Sequence, residues 1–232
     1  MTTDAVLPKD MKEFYKKISN NVNKIFENPE SSDNVEESMN IVTEMVAIIM
    51  EKDFTASSLI TILSFDYYTH THSLNVSAYS ICVGKEMGFS RAALEELGMA
   101  ALLHDIGKTK IDPMIINKNG TLSEIEFIEV QNHPYYSWLI TKKIGITNKN
   151  ILLGIRNHHE KVDGTGYPDK LHNKEIHDYA KIIGICDVFD ALTTNKSYKD
   201  STSTFDTLVM MKKEMSSHLD RNIINFFIKI FK

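Results

Sequence analysis

Apolar residues recur three and four positions apart through most of this chain, and several of these stripes run straight into histidine or aspartate. That spacing lays one continuous apolar face along a helix, whereas the alternation of strands is hard to find. An all-α protein is therefore expected. Phe14, Ile18, Val22 and Ile25 mark one amphipathic helix and Met39, Val42, Met45 and Ile49 a second, with polar residues 28–34 between them. A shorter segment, 58–65, leads into a helix that carries His72 and stops near Met87, where Gly88 can cap it. Ser90 caps the next helix, whose stripe Leu94, Leu97, Ala101 ends on His104 and Asp105. Ser123 and Glu126 form a capping-box pattern for a helix expected to carry His133, with Pro134 disturbing it just after the histidine. Ile151, Leu152 and Ile155 lead to His158-His159. Ile183, Asp187 and Ala191 share one face of a later helix, so Asp187 stands where the pattern asks for an apolar residue. Residues 205–232 read as two further helices.

Seven side chains thus form a candidate ligand set: His72, His104, Asp105, His133, His158, His159 and Asp187. Buried Asp105 and Asp187 would each carry a desolvation cost that a cation removes. Mixed imidazole and carboxylate donors suit iron or manganese, and seven are too many for one four-coordinate zinc. Neighbouring residues on a helix diverge by about 100°, so the doublets His104-Asp105 and His158-His159 reach two adjacent ions more readily than one. Asp105 is the candidate bridge of a dinuclear centre, a type of site that commonly cleaves phosphate esters. Lys108 rises on the same face if the helical turn continues, where its ammonium can meet a phosphate oxygen. The loop Gly164-Thr165-Gly166-Tyr167-Pro168 follows closely and can rim the pocket, with Tyr167 available to stack or hydrogen-bond. His70, His172, His177 and His218 are read as ordinary surface or core histidines.

A net charge of -5 argues against a broad nucleic-acid surface, because polyanion binding needs a basic field. No signal-like N-terminus or apolar run of membrane-spanning length is seen, and Cys82 and Cys186 sit singly in apolar segments, so a cytoplasmic protein with free thiols is expected.

The ordered pieces His72-Ser73-Leu74-Asn75-Val76, Leu103-His104-Asp105-Ile106-Gly107-Lys108, Asn132-His133-Pro134, His158 to Pro168, and Asp187-Val188-Phe189-Asp190-Ala191-Leu192-Thr193 resemble the HD-GYP family of bacterial phosphodiesterases. This is a branch of the HD phosphohydrolase superfamily. The resemblance covers roughly residues 65–220. It implies an HD-domain helical bundle, with residues 61–232 catalytic and residues 1–60 a small N-terminal helical region for regulation or homodimer contact. It further implies hydrolysis of a cyclic dinucleotide, chiefly cyclic di-GMP, to linear pGpG and onward to GMP, in bacterial second-messenger signalling. The seven ligands match the family's metal ligands around two iron or manganese ions, and Lys108 matches a phosphate-contacting lysine. Asp105 and Lys108 are thus the catalytic candidates, and Lys108, Tyr167, Lys196 and Lys199 the substrate contacts.

The chain departs from the family pattern at several positions. Tyr68 stands where some members have a glutamate that helps hold a third metal, which favours two ions here. Lys196 replaces an arginine that contacts ligand in some members, keeping the charge and losing the planar fork. Lys181 likewise replaces a common arginine. Two other readings fit the same residues: a catalytically weak cyclic-dinucleotide receptor, and an HD phosphohydrolase acting on another nucleotide.

Overall fold

The computed structural model describes residues 9–51, 71–193 and 203–231. Residues 58–65, Tyr68, His70, Lys196 and Lys199 lie outside the described residues. In order come α1 (Lys9–Glu27), α2 (Asp33–Ile49), α3 (Thr71–Glu86), α4 (Arg91–Leu103), a 3-10 turn (Ile106–Lys110), α5 (Pro113–Ile116), α6 (Glu124–Val130), α7 (His133–Lys143), α8 (Lys149–Arg156), α9 (Asp178–Thr193), α10 (Thr204–Lys213) and α11 (Arg221–Lys229). Among the described residues there is no strand, only an isolated bridge between Asp163 and His172. The chain is all-α as its periodicity requires.

Helix α3 is the axis of the bundle. Residues 73–84 are buried without interruption, so this helix is enclosed on all sides rather than amphipathic. α4 and α9 pack along it, α8 bridges α4 and α9, and α7 lies against the 3-10 turn. Leu94, Leu97 and Ala101 of α4 are fully buried, and each large aliphatic side chain so enclosed contributes about 1.5–3 kcal/mol. The apolar faces of α1 and α2 enter this same core through Ile18, Val22, Ile25, Val42, Met45 and Ile49, while Met39 falls off the face and is 39% exposed. The cover that these helices need is therefore supplied within the chain, chiefly by α4 against α2. The Lys85 ammonium donates to the Ile49 carbonyl at 2.6 Å and so caps the end of α2.

Several local signals act as the residues dictate. Gly88 ends α3 with a φ of 80°, a conformation that a side chain disfavours. Ser90 accepts from the Ala93 amide, and Ser123 and Glu126 complete a reciprocal capping box. His133 departs from expectation. The capped helix α6 ends at Val130, and His133 opens a new helix with Pro134 in its first turn. A proline there loses no hydrogen bond and brings the required φ, so it starts α7 instead of disturbing α6. Ala191 is exposed, so the inward face of α9 ends before it. Cys82 and Cys186 are buried free thiols. No helix among the described residues is long and apolar enough to cross a membrane.

Candidate metal centre

Neither ligand doublet lies within a helix. α4 stops at Leu103 and α8 at Arg156, so His104-Asp105 and His158-His159 occupy the turns beyond them. The reason is visible in the histidines. Nδ1 of His104 donates to the Ala101 carbonyl at 2.7 Å, Nδ1 of His133 to Val130 at 2.7 Å, and Nδ1 of His158 to Ile155 at 2.6 Å. Each carbonyl belongs to the last turn of its helix, where the main chain leaves acceptors without helical partners. Three imidazoles thus finish three helices with one nitrogen and turn the other inward. The negative ends of three helix dipoles also meet here, which favours bound cations.

A carbonyl can only accept, so each of these rings carries its proton on Nδ1 and, when neutral, its lone pair on Nε2. His133 Nε2 then faces His158 Nε2 at 3.3 Å and Asp105 Oδ1 at 3.1 Å, with no donor among the three. His104 Nε2 and Asp105 Oδ1 are buried without a hydrogen-bond partner. Acceptors forced together in this way fit a cation and little else.

The donors fall into two groups. Ligand atoms of His72, His104 and Asp187 lie within 4.8 Å of one another, as do those of His133, His158 and His159, and a third set, His104, Asp105 and His158, joins the two. Asp105 stands between them: Oδ1 faces His133, while Oδ2 is 3.4 Å from His104 Nε2 and 3.6 Å from His72 Nε2. Asp187 Oδ1 is 3.0 Å from His72 Nε2, and Oδ2 turns towards His159 Nδ1 at 3.8 Å. All seven candidate side chains are therefore brought together, with Asp105 set between the two groups and Asp187 reaching from one towards the other.

The electrostatics agree with this division. Burial opposes ionisation of Asp105, yet the Lys108 ammonium outweighs it and holds the carboxyl well below its ordinary range. Burial likewise opposes ionisation of Asp187, but the hydrogen bond from His72 keeps it ionised. Burial dominates for His104 and His158 and pushes both down, and it takes His159 to about 3, so these rings are neutral donors.

Lys108 does not continue an α-helix. It sits in the 3-10 turn, where Nζ donates to Asp105 Oδ2 at 2.5 Å and the side chain is partly exposed. Tyr167 packs its ring on His159 with centroids 4.8 Å apart, so it covers that imidazole instead of standing free. Its loop is held by Glu160, whose carboxylate accepts from the Asp169 and Leu171 amides at 2.6 and 3.0 Å. Sequence reasoning assigned no role to Glu160, nor to Ser137, whose hydroxyl accepts from the Gly107 amide at 2.8 Å and ties the turn to α7. It also passed over Asp190, buried beside His72. Only its place in the Asp187 to Thr193 stretch marked it.

A helical bundle that delivers a histidine-aspartate doublet and five further nitrogen and oxygen donors to one buried centre defines an HD-type metal-binding domain. The chain belongs to the HD-domain family, whose profile matches residues 36–223, and to its HD-GYP branch. It is 31% identical over 189 residues to the cyclic di-GMP phosphodiesterase PA4108 of Pseudomonas aeruginosa, covering 82% of this chain and 45% of that protein. It is 35% identical over 153 residues to the 3'3'-cGAMP-specific phosphodiesterase 3 of Vibrio cholerae, covering 66% of this chain and 33% of that one. The chain thus spans less than half the length of these relatives. Among solved structures it resembles Bd1817, an HDG"Y"P protein of Bdellovibrio bacteriovorus, with a TM-score of 0.79 at 21% identity over 98% of this chain and 74% of that one. That likeness speaks to the fold.

Proposed function

We propose that this chain is a metal-dependent phosphodiesterase that opens a cyclic dinucleotide, cyclic di-GMP first, to linear pGpG, with further cleavage to GMP as a second step. The observation that carries the reading is Asp105, whose two oxygens face separate donor groups. That is the arrangement a carboxylate needs to bridge two ions. His72, His104, Asp105 and Asp187 would hold one ion, and Asp105, His133, His158 and His159 the other, with iron or manganese favoured by the mixed donors. Two divalent ions there would supply Lewis acidity, making a water acidic enough to attack phosphorus and neutralising phosphoryl charge. Lys108, already beside Asp105, is placed to exchange that contact for a phosphate oxygen. Burial of its ligand partners keeps the local dielectric low, where such a charge acts most strongly. Tyr167 would keep water from the His159 side, and Lys196 and Lys199 would add positive charge at the substrate.

Residues 1–60 are proposed as a regulatory or homodimer-contact region and 61–232 as the catalytic part. This division is one of role, since α2 completes the shared core. Glu30, between α1 and α2, accepts from Lys110 at 2.7 Å and Lys143 at 2.5 Å, which links that hairpin to the turn bearing Lys108. Buried free thiols suit the reducing cytoplasm.

Protein loaded anaerobically with iron or manganese should hydrolyse cyclic di-GMP faster than 3'3'-cGAMP, cyclic di-AMP or ordinary nucleotides. Faster turnover of the mixed dinucleotide would change the substrate. Tight binding without turnover would make the chain a receptor, and activity only on a mononucleotide would overturn the proposal.

A further inference from the structure

The histidines of this centre are not all held alike. His104, His133 and His158 are oriented by main-chain carbonyls, which any residue at the accepting position would supply. His72 is held by a side chain. Its Nδ1 lies 2.8 Å from Asp190 Oδ2, and the other oxygen of Asp190 accepts from the Asn75 amide at 2.9 Å. Asn75 is on α3, three residues beyond His72, so both oxygens of Asp190 are engaged by one ridge of α3. Asp190 is 2% exposed. It sits on α9 three residues beyond Asp187, whose Oδ1 faces the opposite nitrogen of the same imidazole at 3.0 Å. One helix thus offers a carboxylate to each nitrogen of His72.

We propose that Asp190 is a positioning residue, locked by Asn75, that fixes the His72 ring and strengthens its Nε2 as a donor, and so sets the affinity of the ion held by His72, His104 and Asp187 without acting on the other. A hydrogen bond to an anion leaves more electron density on the far nitrogen than a bond to a neutral carbonyl does. The two ion sites are thereby made unequal in chemistry. The first has two carboxylates and a carboxylate-backed imidazole, and the second has three imidazoles and the shared Asp105. The inference rests on the two-ion reading above.

The test is a competitive chelator titration of the manganese-loaded protein. In Asp190→Ala one of two ions should be lost with affinity lowered roughly 10- to 100-fold, the range for partners behind a ligand, while the second stays at its wild-type affinity. Asp190→Asn, which keeps shape and one acceptor, should restore part of the loss, and Asn75→Ala should weaken the same ion less. Equal loss of both ions, or no loss, would overturn the assignment while leaving the two-ion reading intact. A wild-type protein that binds a single ion would overturn that reading and the site selectivity with it. Nitrogen-15 spectra of labelled histidine then decide the contact alone: the Nδ1 proton of His72 should be strongly downfield and vanish in Asp190→Ala, and an unchanged signal would exclude the positioning role.

Discussion

Gly107 is the residue whose replacement should do most harm for least chemistry. It follows Asp105 by two residues and abuts α7, with its amide donating to Ser137 Oγ at 2.8 Å. A Cβ placed there would collide with the His133 carbonyl oxygen and the Ser137 amide nitrogen, and would lie 2.8 Å from Ser137 Oγ. Two of these three atoms are main chain, so no rotamer change relieves them. The turn and α7 must part by roughly 1 Å, an overpacking that costs about 2 kcal/mol. Weakening the buried Gly107-Ser137 hydrogen bond adds about 2 kcal/mol. Some 4 kcal/mol in a chain of this size lowers Tm by roughly 8–16 °C. Asp105 and Lys108 ride on the turn and His133 on α7, so the separation opens the shared ligand away from one donor group. A misplacement of about 1 Å near reacting groups can cost roughly 100-fold in rate. Gly107→Ala should therefore show a lowered Tm by calorimetry and a turnover of cyclic di-GMP reduced about that much. Ser137→Ala should lose only the hydrogen bond, about 1–3 kcal/mol, and should not rescue Gly107→Ala in the double variant. Wild-type Tm and metal content in Gly107→Ala, or full rescue by Ser137→Ala, would refute the backbone-contact argument.

Asp105→Asn should weaken both ions by more than roughly 100-fold, beyond what outer-shell changes produce, whereas His159→Ala should release one; a single zinc indifferent to Asp105→Asn, seen by elemental analysis, would exclude the shared bridge. Lys108→Ala should keep both ions and lower kcat/KM roughly 10- to 100-fold, as expected for one charge-assisted hydrogen bond of about 1.5–3 kcal/mol, and loss of metal would give Lys108 a role in holding Asp105 instead. Chelator-treated protein should lose stability on acidification. His104, His158 and His159 are lowered when folded, the last to about 3, while the unfolded chain takes up these protons near pH 6.5. Their contribution is whole above that value and lost as pH falls towards 3. His72, whose burial is outweighed by Asp187 and Asp190 so that it is raised to about 10, works the other way: its contribution is whole below about 6.5 and is lost as pH climbs towards about 10. Urea midpoints of the metal-free protein should thus be lower at about pH 5 than at about pH 7.5, and equal midpoints would count against buried neutral imidazoles.

The helices and the donor set were legible in the sequence because both rest on local rules. Helical spacing placed Leu94, Leu97 and Ala101 on one face, short-range hydrogen bonding set the caps at Ser90 and Ser123, and the aspartates that interrupt apolar stripes declared themselves as Asp105 and Asp187. Pro134 was the local signal with two meanings. It either breaks a helix or begins one, and only the end of α6 at Val130 selected the second. Tertiary structure decided which donors stand together, which oxygen of Asp105 faces which of them, and how Tyr167 lies on His159. It also decided that the doublets follow helix ends, where carbonyls of the last turn fix His104 and His158, and that Asp190 reaches His72 across 118 residues of chain. Periodicity gives the face on which a side chain lies. The rotation and register of one helix against another come from packing, and those set the distances that coordination requires.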